Sequence, residues 1–272
     1  MEVAKTPLSS EEVKAVSEHR LEYLKRPELM AGHYEVAVVP IGSTEAHAQH
    51  LVYGTDTFQV ARFAELAVAE ANRRGARCIL LPTMPYSCNE NVQQVPWVMS
   101  LRPRTLTDFV ADVVASVVRQ GVRKIVIMNG HGGNTSVLQA ALRELFPNTP
   151  AFIALNEWYA ACSDVEEEVM ETEERGHACE METSAMLYLC PEGVDMQAAE
   201  PTAGRKAIFS RGGVLFFVNP WHLYTRNSGL GDPTKATAEK GRRMIEAAVD
   251  RTATALKELS DADMNDMFPY QE

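Results

Sequence analysis

The chain has 272 residues, 46% of them apolar, which is enough for one large domain with a sizeable core. Its 26 Lys and Arg stand against 37 Asp and Glu, and this net charge of -11 argues against nucleic acid and anionic membranes as partners. No stretch approaches eighteen consecutive apolar residues and the N-terminus shows no signal-peptide pattern, so we expect a cytoplasmic protein with no membrane segment.

Strand-like and helix-like segments alternate after an N-terminal helical region. Residues 9–12 have capping-box form and precede a charged stretch that Pro27 ends, so 1–33 is predicted to be a helical extension. Apolar, β-branched runs predict buried strands at 36–41, 78–81, 124–128 and 151–155. Helical spacing predicts helices at 57–74, 105–120, 135–145, 177–189 and 234–259.

This alternation predicts an α/β fold with three α/β/α layers and a mainly parallel central sheet, in a single domain over 1–272.

Three segments do not fit the alternation of strands and helices. Residues 82–103 form a long irregular stretch around Trp97, which is typical of a functional loop or a subunit contact. The acidic segment 164–174 is predicted to be solvated and mobile, and 212–218 is predicted to be a late strand.

The first candidate site follows the first strand. Glu45 and His47 are two residues apart, so on extended backbone both side chains leave on the same side and can reach one ion. Asp56 comes just before the next helix, and His50 lies between. The alternative is a polar loop whose histidines are only solvated.

The second candidate is His131, at the tip of the third strand within the sequence NGHGGN (129–134). The glycines let the backbone approach an ion or ligand closely, and the amides that open the next helix favour negative charge. The alternative is a glycine-rich phosphate loop in which His131 is incidental. Glu45 and Asp56 would serve a phosphate poorly at the same sheet edge, unless a cation neutralised them.

The third candidate lies at the start of the predicted helix 177–189. His177 and Glu180 are three residues apart and share one face of a helical turn, whereas Glu182 points away from Glu180. The position of Glu182 is also explained by a favourable charge at the N-terminus of a helix.

These motifs, together with residues 42–44, 54–55, 183–184 and 231–233, resemble the creatininase (creatinine amidohydrolase) family over roughly 36–241. The resemblance implies a site with two divalent ions, whose ligands match Glu45, His47, Asp56 and His131, with Asp56 as the bridge. Gly133 stands where creatininase itself has a further carboxylate. Family members that share the sequence GHGGN carry a Glu three residues after the later histidine, so the resemblance implies Glu180 as the fifth ligand. His177 matches the catalytic histidine. Mixed nitrogen and oxygen ligands suit zinc best, and the three carboxylates are also compatible with manganese or iron(II).

The function that the resemblance implies is metal-dependent hydrolysis of the C–N bond of a small cyclic amide or formamide, by a homo-oligomer of up to six chains. One alternative is hydrolysis of a ring C–C bond in an inositol-derived diketone at the same site. A third reading is a nucleotide-binding α/β module without metal. The sequence departs from the family pattern in the loop around Ala48 and Gln49, at Val92, at residues 95–98 and at Glu173. Matching ligands with altered surroundings imply a different substrate.

Overall fold

The computed structural model describes residues 18–174, 176–208 and 215–270. Within these ranges one sheet has the strand order β2-β1-β3-β4, formed by β1 (Val36–Ile41), β2 (Cys78–Leu80), β3 (Lys124–Asn129) and β4 (Phe152–Glu157). Every pairing is parallel. The carboxyl ends of the strands therefore lie along one edge of the sheet, where the following loops meet.

The α-helices of the described ranges are α1 (Arg26–Ala31), α2 (Thr55–Arg73), α3 (Pro103–Val118), α4 (Thr135–Leu145), α5 (Ser163–Val169), α6 (Glu180–Leu189), α7 (Trp221–Tyr224) and α8 (Ala238–Asp261). Short 3-10 turns lie at Leu21–Tyr23, Gly132–Asn134, Ala160–Cys162, Pro191–Gly193, Met196–Ala198 and Pro233–Lys235.

Different helices cover the two faces of the sheet. On one face α2, α6 and α8 pack around a core that includes Phe63, Met128 and Met244. On the other face α3 and α4 pack around a core that includes Ile127 and Leu138. Adjacent residues of β3 thus enter opposite cores, as the alternation of side chains along a strand requires. The prediction of a mainly parallel sheet with helices on both faces is confirmed.

The N-terminal extension is only partly helical where the structure describes it. Residues 9–12 lie outside the described ranges, and between residue 18 and the start of α1 the helical part is the 3-10 turn Leu21–Tyr23. The Leu80 N–H donates to the His19 carbonyl at 2.8 Å, so this segment pairs with the exposed edge of β2. Pro27 does not end a helix, since it stands in the first turn of α1. A proline is tolerated there because a first-turn N–H has no intrahelical partner.

The acidic segment is solvated as predicted, since the Asp164 and Glu168 side chains are each 65% exposed, but residues 163–169 form helix α5, which the sequence did not predict. Val169 of this helix is buried in the core. Arg251 and Arg243 of α8 reach Asp164 and Glu168, each with a nitrogen–oxygen distance of 2.8 Å. The partners of these carboxylates come from a distant part of the sequence, so the local acidic pattern could not reveal them.

Two other segments differ in detail. Of the predicted strand 212–218, residues 212–214 lie outside the described ranges, and 215–218 form no strand. The last helix begins at Ala238 rather than residue 234, because the Thr237 hydroxyl accepts a hydrogen bond from the Lys240 N–H and caps it. Among the helices described, none is both long and apolar enough to cross a bilayer.

Helices α6 and α8 approach each other most closely at Gly241. A Cβ at this position would overlap the Ser184 carbonyl oxygen on α6. Replacing a helix-interior glycine with alanine normally stabilises a helix by about 1 kcal/mol. Here we expect Gly241→Ala to destabilise the protein by about 1–3 kcal/mol, because the two helices must move apart.

The test is the thermal unfolding midpoint of Gly241→Ala beside that of Ala255→Gly, an exposed position on the same helix. The Ala255 variant measures helix propensity alone and should lose about 1 kcal/mol. A midpoint for Gly241→Ala above that of the unmodified chain would show that the helices are not in close contact.

Candidate metal centre

The loop between β1 and α2 brings three charged side chains together. Glu45 and His47 lie in this loop and Asp56 lies in the first turn of α2, and all three are buried. The loop folds back on itself, with the Glu45 N–H donating to the Tyr53 carbonyl at 3.1 Å. This return places Asp56 Oδ1 3.1 Å from His47 Nε2.

The tip of β3 supplies His131. The Asn129 side chain holds this residue from both sides, by donating to its carbonyl at 2.9 Å and accepting from its N–H at 3.2 Å. A Cβ at Gly133 would lie 2.8 Å from the Cys88 carbonyl oxygen and would overlap the His131 ring. With His131 in this position, only glycine fits at 133, so no carboxylate can stand there.

The segment before α6 supplies His177 and Glu182. The His177 backbone pairs with Leu230 through N–H to oxygen distances of 2.9 and 2.7 Å. Ala178 then has a φ of 51°, in the left-handed region, and α6 begins only at Glu180. The Ala178 N–H donates to the Glu182 carboxylate, which is thereby held beside His47 and Asp56.

Three sets of side chains place ligand atoms within 4.8 Å of one another: Glu45, Asp56 and His131; His47, Asp56 and Glu182; and Glu45, His47 and His177. We call these six residues the carboxylate–histidine group. Asp56 belongs to the first two sets, with Oδ1 toward His47 and Oδ2 3.1 Å from His131 Nδ1.

A backbone carbonyl fixes each histidine ring of the group. The three pairs are His131 Nε2 with Cys88 O at 3.1 Å, His47 Nδ1 with Glu45 O at 3.2 Å, and His177 Nε2 with Ala46 O at 2.8 Å. A carbonyl only accepts hydrogen bonds, so in the neutral ring each of these nitrogens carries the N–H. The opposite nitrogen of each ring then presents a lone pair toward the carboxylates, the arrangement that metal-binding histidines have.

The atoms facing these lone pairs are themselves acceptors. His131 Nδ1 lies 2.8 Å from Glu45 Oε1 and 3.1 Å from Asp56 Oδ2, and both oxygens are buried without a partner in hydrogen-bond geometry. Buried acceptors this close repel one another unless a positive charge lies among them. Divalent ions bound by imidazole nitrogen and carboxylate oxygen supply that charge. The residues therefore fit metal ions, and the position of Asp56 fits a ligand shared by two of them.

Protons can also balance the charge of this group. Burial alone would lower the pKa of His47, but the charge of Asp56 outweighs burial and raises the pKa to about 9. The pKa of His131 is raised well above its usual value, because Glu45 and Asp56 outweigh burial in the same way. Burial would raise the pKa of Asp56, yet His47 and His131 hold it below its usual range. Glu45 and Asp56 therefore stay ionised, and His47 and His131 carry the exchangeable protons.

His50, the second histidine of the first motif, stays outside the group. Its burial and the charge of His47 lower its pKa to about 4, so the ring is neutral at pH 7. His50 Nε2 lies 2.8 Å from Thr183 Oγ1, next to Glu182 in α6. This contact ties the β1–α2 loop to the helix that carries Glu182.

Glu180, expected from the sequence as the fifth ligand, is not brought to the group. Its carboxylate accepts from the backbone N–H groups of Glu171 and Thr172 at 3.1 and 2.8 Å, and it pairs with Lys240 of α8. Burial opposes ionisation of Glu180, but Lys240 and these donors lower its pKa. The carboxylate that does reach the group is Glu182, two residues further along the same helix.

A cavity of about 260 Å³ opens onto the group, lined by Glu45, Asn91, Val92, His131, Gly132, Gly133, Gly176, His177, Glu182, Trp221 and Leu230. The middle loop contributes Asn91 and Val92, in keeping with the functional loop predicted at 82–103. A larger apolar groove of about 980 Å³ lies between α3 and residues 21–34, and contains no member of the group.

Sequence reasoning missed Glu182 and Trp221. The family resemblance assigned the fifth ligand to Glu180, and the helical spacing expected between His177 and Glu180 is broken because the left-handed residue Ala178 separates His177 from α6. No local pattern marks Trp221, because it lies in a segment without regular periodicity and reaches the cavity only through the tertiary fold.

The family model described as Creatininase, creatinine amidohydrolase, matches residues 22–256. The mycofactocin precursor peptide peptidase of Mycobacterium ulcerans is 29% identical over 222 residues, covering 78% of this chain and 81% of the relative. The 3-dehydro-scyllo-inosose hydrolase of Thermotoga maritima is 26% identical over 252 residues, covering 84% of this chain and 78% of the relative. A crystal structure from Bacteroides fragilis, provisionally described as a creatinine amidohydrolase, has a TM-score of 0.83 and 30% identity, covering 92% of this chain and 99% of that chain.

The fold and the carboxylate–histidine group define a metal-dependent hydrolase, a class whose members act on amide or C–C bonds. The chain belongs to the creatininase family. The resemblance read from the sequence motifs is confirmed.

The raised pKa values of His47 and His131 predict proton release when ions bind. At pH 7 both rings are protonated, and a metal ion binds only the neutral ring, so about two protons per chain should leave on adding Zn²⁺. Above pH 9 His47 has already lost its proton, so the release should fall and the affinity should rise less steeply with pH. Calorimetric titration in two buffers of different ionisation enthalpy measures the release. Heats that do not depend on the buffer would contradict the prediction.

Proposed function

We propose that this chain hydrolyses the C–N bond of a small neutral amide, with two divalent ions held by the carboxylate–histidine group. The observation that supports the proposal most directly is the buried cluster of acceptors, in which three histidine lone pairs face carboxylate oxygens. Structural ion pairs do not need this arrangement, because one protonated histidine would satisfy one carboxylate. A buried cluster of histidines and carboxylates that can exchange its protons for metal ions is typical of a catalytic metal site.

In this proposal Glu45, Asp56 and His131 hold one ion, and His47, Asp56 and Glu182 hold the other. Asp56 is the shared ligand, and Glu182 takes the place that the sequence had assigned to Glu180. Zinc suits this mixture of imidazole and carboxylate ligands best, while manganese and iron(II) remain compatible with three carboxylates. Such ions, when bound, supply Lewis acidity that activates water at neutral pH and polarises a carbonyl.

His177 is proposed as the proton carrier. Its Nε2–H is fixed on the Ala46 carbonyl, which leaves Nδ1 facing Glu45 Oε1 at 3.9 Å and open toward the cavity-lining carboxylates. The ring stacks on His47 with a centroid distance of 4.1 Å, so its position is held from two sides. A histidine fixed in this way can take a proton from attacking water and deliver it to a leaving nitrogen.

The cavity limits the size of the substrate. About 260 Å³ accommodates a small ring or a short acyl group but not a folded peptide. The second candidate function, hydrolysis of a ring C–C bond in an inositol-derived diketone, is kept because the Thermotoga maritima relative is an inosose hydrolase. Residence in the cytoplasm and assembly into a homo-oligomer stay predictions from the sequence.

Product analysis separates the candidate reactions. The zinc-loaded and manganese-loaded protein is incubated with five-membered lactams, formamides, a cyclic 1,3-diketone and a short peptide, and products are identified by mass spectrometry. We expect ring-opened amino acids or released formate from the amides. Turnover of the diketone alone would favour the C–C alternative, and turnover of the peptide alone would place this chain with the Mycobacterium ulcerans relative. Elemental analysis showing no bound metal would overturn both hydrolase proposals.

The two carboxylates of α6 provide a matched pair of variants. Glu182→Gln should lower the metal content from about two ions per chain toward one, because one ion loses a ligand. Glu180→Gln should keep the metal and lower the thermal midpoint instead, because Lys240 loses its buried partner. Metal content is read by mass spectrometry of the purified proteins. The opposite outcome, with metal lost only from the Glu180 variant, would return the fifth ligand to Glu180.

Loss of His177 should separate proton transfer from metal binding. We expect His177→Ala to keep both ions and to lower turnover by roughly 10²–10⁴-fold, the usual contribution of a general acid or base. The control is His33→Ala, which removes an exposed histidine outside the cavity lining and should behave like the unmodified protein. An emptied metal site in the His177 variant would instead make this histidine a ligand.

A further inference from the structure

Trp221 forms a large aromatic part of the cavity wall. It is the one aromatic residue of the indole or phenyl type among the described residues that line the cavity, where Val92 and Leu230 are its apolar neighbours. Its ring meets the His177 ring edge to face, at a centroid distance of 5.0 Å and an interplanar angle of 77°. The indole therefore borders the same space as the proposed proton carrier.

The fold holds Trp221 in this place by contacts that do not involve its side chain. Its N–H donates to the Asn91 carbonyl at 2.8 Å, which ties α7 to the middle loop. The Tyr224 carbonyl at the end of α7 accepts from the Arg205 N–H at 2.8 Å. The backbone of α7 is thus anchored at both ends, and the indole, which also contacts the Tyr224 ring at a centroid distance of 5.8 Å, lines the cavity.

The chemistry of the lining selects an uncharged ligand. Among the described residues around the cavity there is no Lys or Arg, and the proposed function assigns Glu45, His131 and Glu182 to metal ions. Away from those ions, an anionic substituent on a ligand would meet no Lys or Arg among these residues, whereas the indole offers a flat apolar surface. The aromatic wall and the missing cation point to a planar, neutral ring.

We infer that Trp221 is the specificity-determining residue of the cavity, and that it packs against the ring of a planar, neutral cyclic amide whose carbonyl lies at the carboxylate–histidine group. This inference rests on the proposed function for the position of the carbonyl. A short acyclic amide occupies only the part of the cavity beside the group and does not reach the indole. Ring substrates and acyclic substrates therefore depend on Trp221 to different extents.

The kinetic test compares two substrates in one variant. For zinc-loaded Trp221→Ala we expect the KM for hydantoin, a planar neutral ring, to rise about tenfold or more while kcat changes less, and the kinetics with N-methylformamide to change much less than those with hydantoin. Trp221→Phe should recover most of the loss, because a phenyl ring still offers a flat face. Trp97→Phe is the control, since Trp97 is 82% exposed and outside the cavity lining. An equal loss for both substrates would show that Trp221 only positions His177, and no loss for either would show that substrates do not touch it.

A binding measurement keeps the inference testable if no amide is turned over. Hydantoin should change the tryptophan fluorescence of the zinc-loaded chain and of Trp97→Phe in a saturable way, and this change should vanish in Trp221→Phe. Hydantoin-5-acetic acid, which adds a carboxylate to the same ring, should bind at least tenfold more weakly. Saturable quenching without turnover would support the role of Trp221 while overturning the proposed reaction. Turnover with quenching that persists in Trp221→Phe, or equal binding of the two ligands, would overturn the inference and leave the proposed reaction in place.

Discussion

The charge of Asp56 is the constraint on which the candidate centre depends. This carboxylate is buried between His47 and His131, with one oxygen directed at each ring. A buried carboxylate requires positive charge or hydrogen-bond donors around it, and Asp56 has one histidine on either side instead of a backbone cage. The two halves of the group are therefore linked through a single residue. Whatever neutralises one half, whether a proton or an ion, changes the charge that the other half experiences.

The order of the strands brings the two halves of the group together. β1 and β3 are neighbours and parallel, so the loop after β1 and the turn after β3 leave the sheet side by side. Glu45 and His131 thereby meet across a strand spacing rather than through a long side-chain reach. The remaining carboxylate arrives on α6, which is held against α8 at Gly241 and against the β1–α2 loop by His50. The ligands are thus carried on a strand tip, a helix start and a second packed helix, which limits their movement.

The parts of this picture that the sequence could predict are those specified by short-range patterns. The strands appear in the sequence as apolar, β-branched runs, although β4 is only half-buried. Glu45, His47 and His131 follow strand ends within six residues, and Asp56 lies at the start of the next helix. The choice between Glu180 and Glu182 depends on the left-handed φ of Ala178, a backbone state that alanine rarely adopts and that no spacing rule indicates. The helix at 163–169 depends on arginines of α8 that lie far along the chain. In both cases the deciding feature is set by the tertiary fold, whereas periodicity in the sequence indicates only local conformational preference.

The residues that support catalysis and the residues that support substrate specificity also lie in different kinds of segment. The metal-ligand candidates lie just after β1 and β3 and at the starts of α2 and α6, while the cavity wall is built from the middle loop and the segment around α7, which have little regular structure of their own. Loops tolerate change in length and composition better than strands and helices do, because few packed contacts depend on them. A family that keeps one hydrolytic centre can therefore contain members named for a peptide and for an inosose. For this chain it follows that the ligand set argues for the class of reaction, whereas Trp221 and the residues beside it in the wall carry the information about which substrate is cleaved.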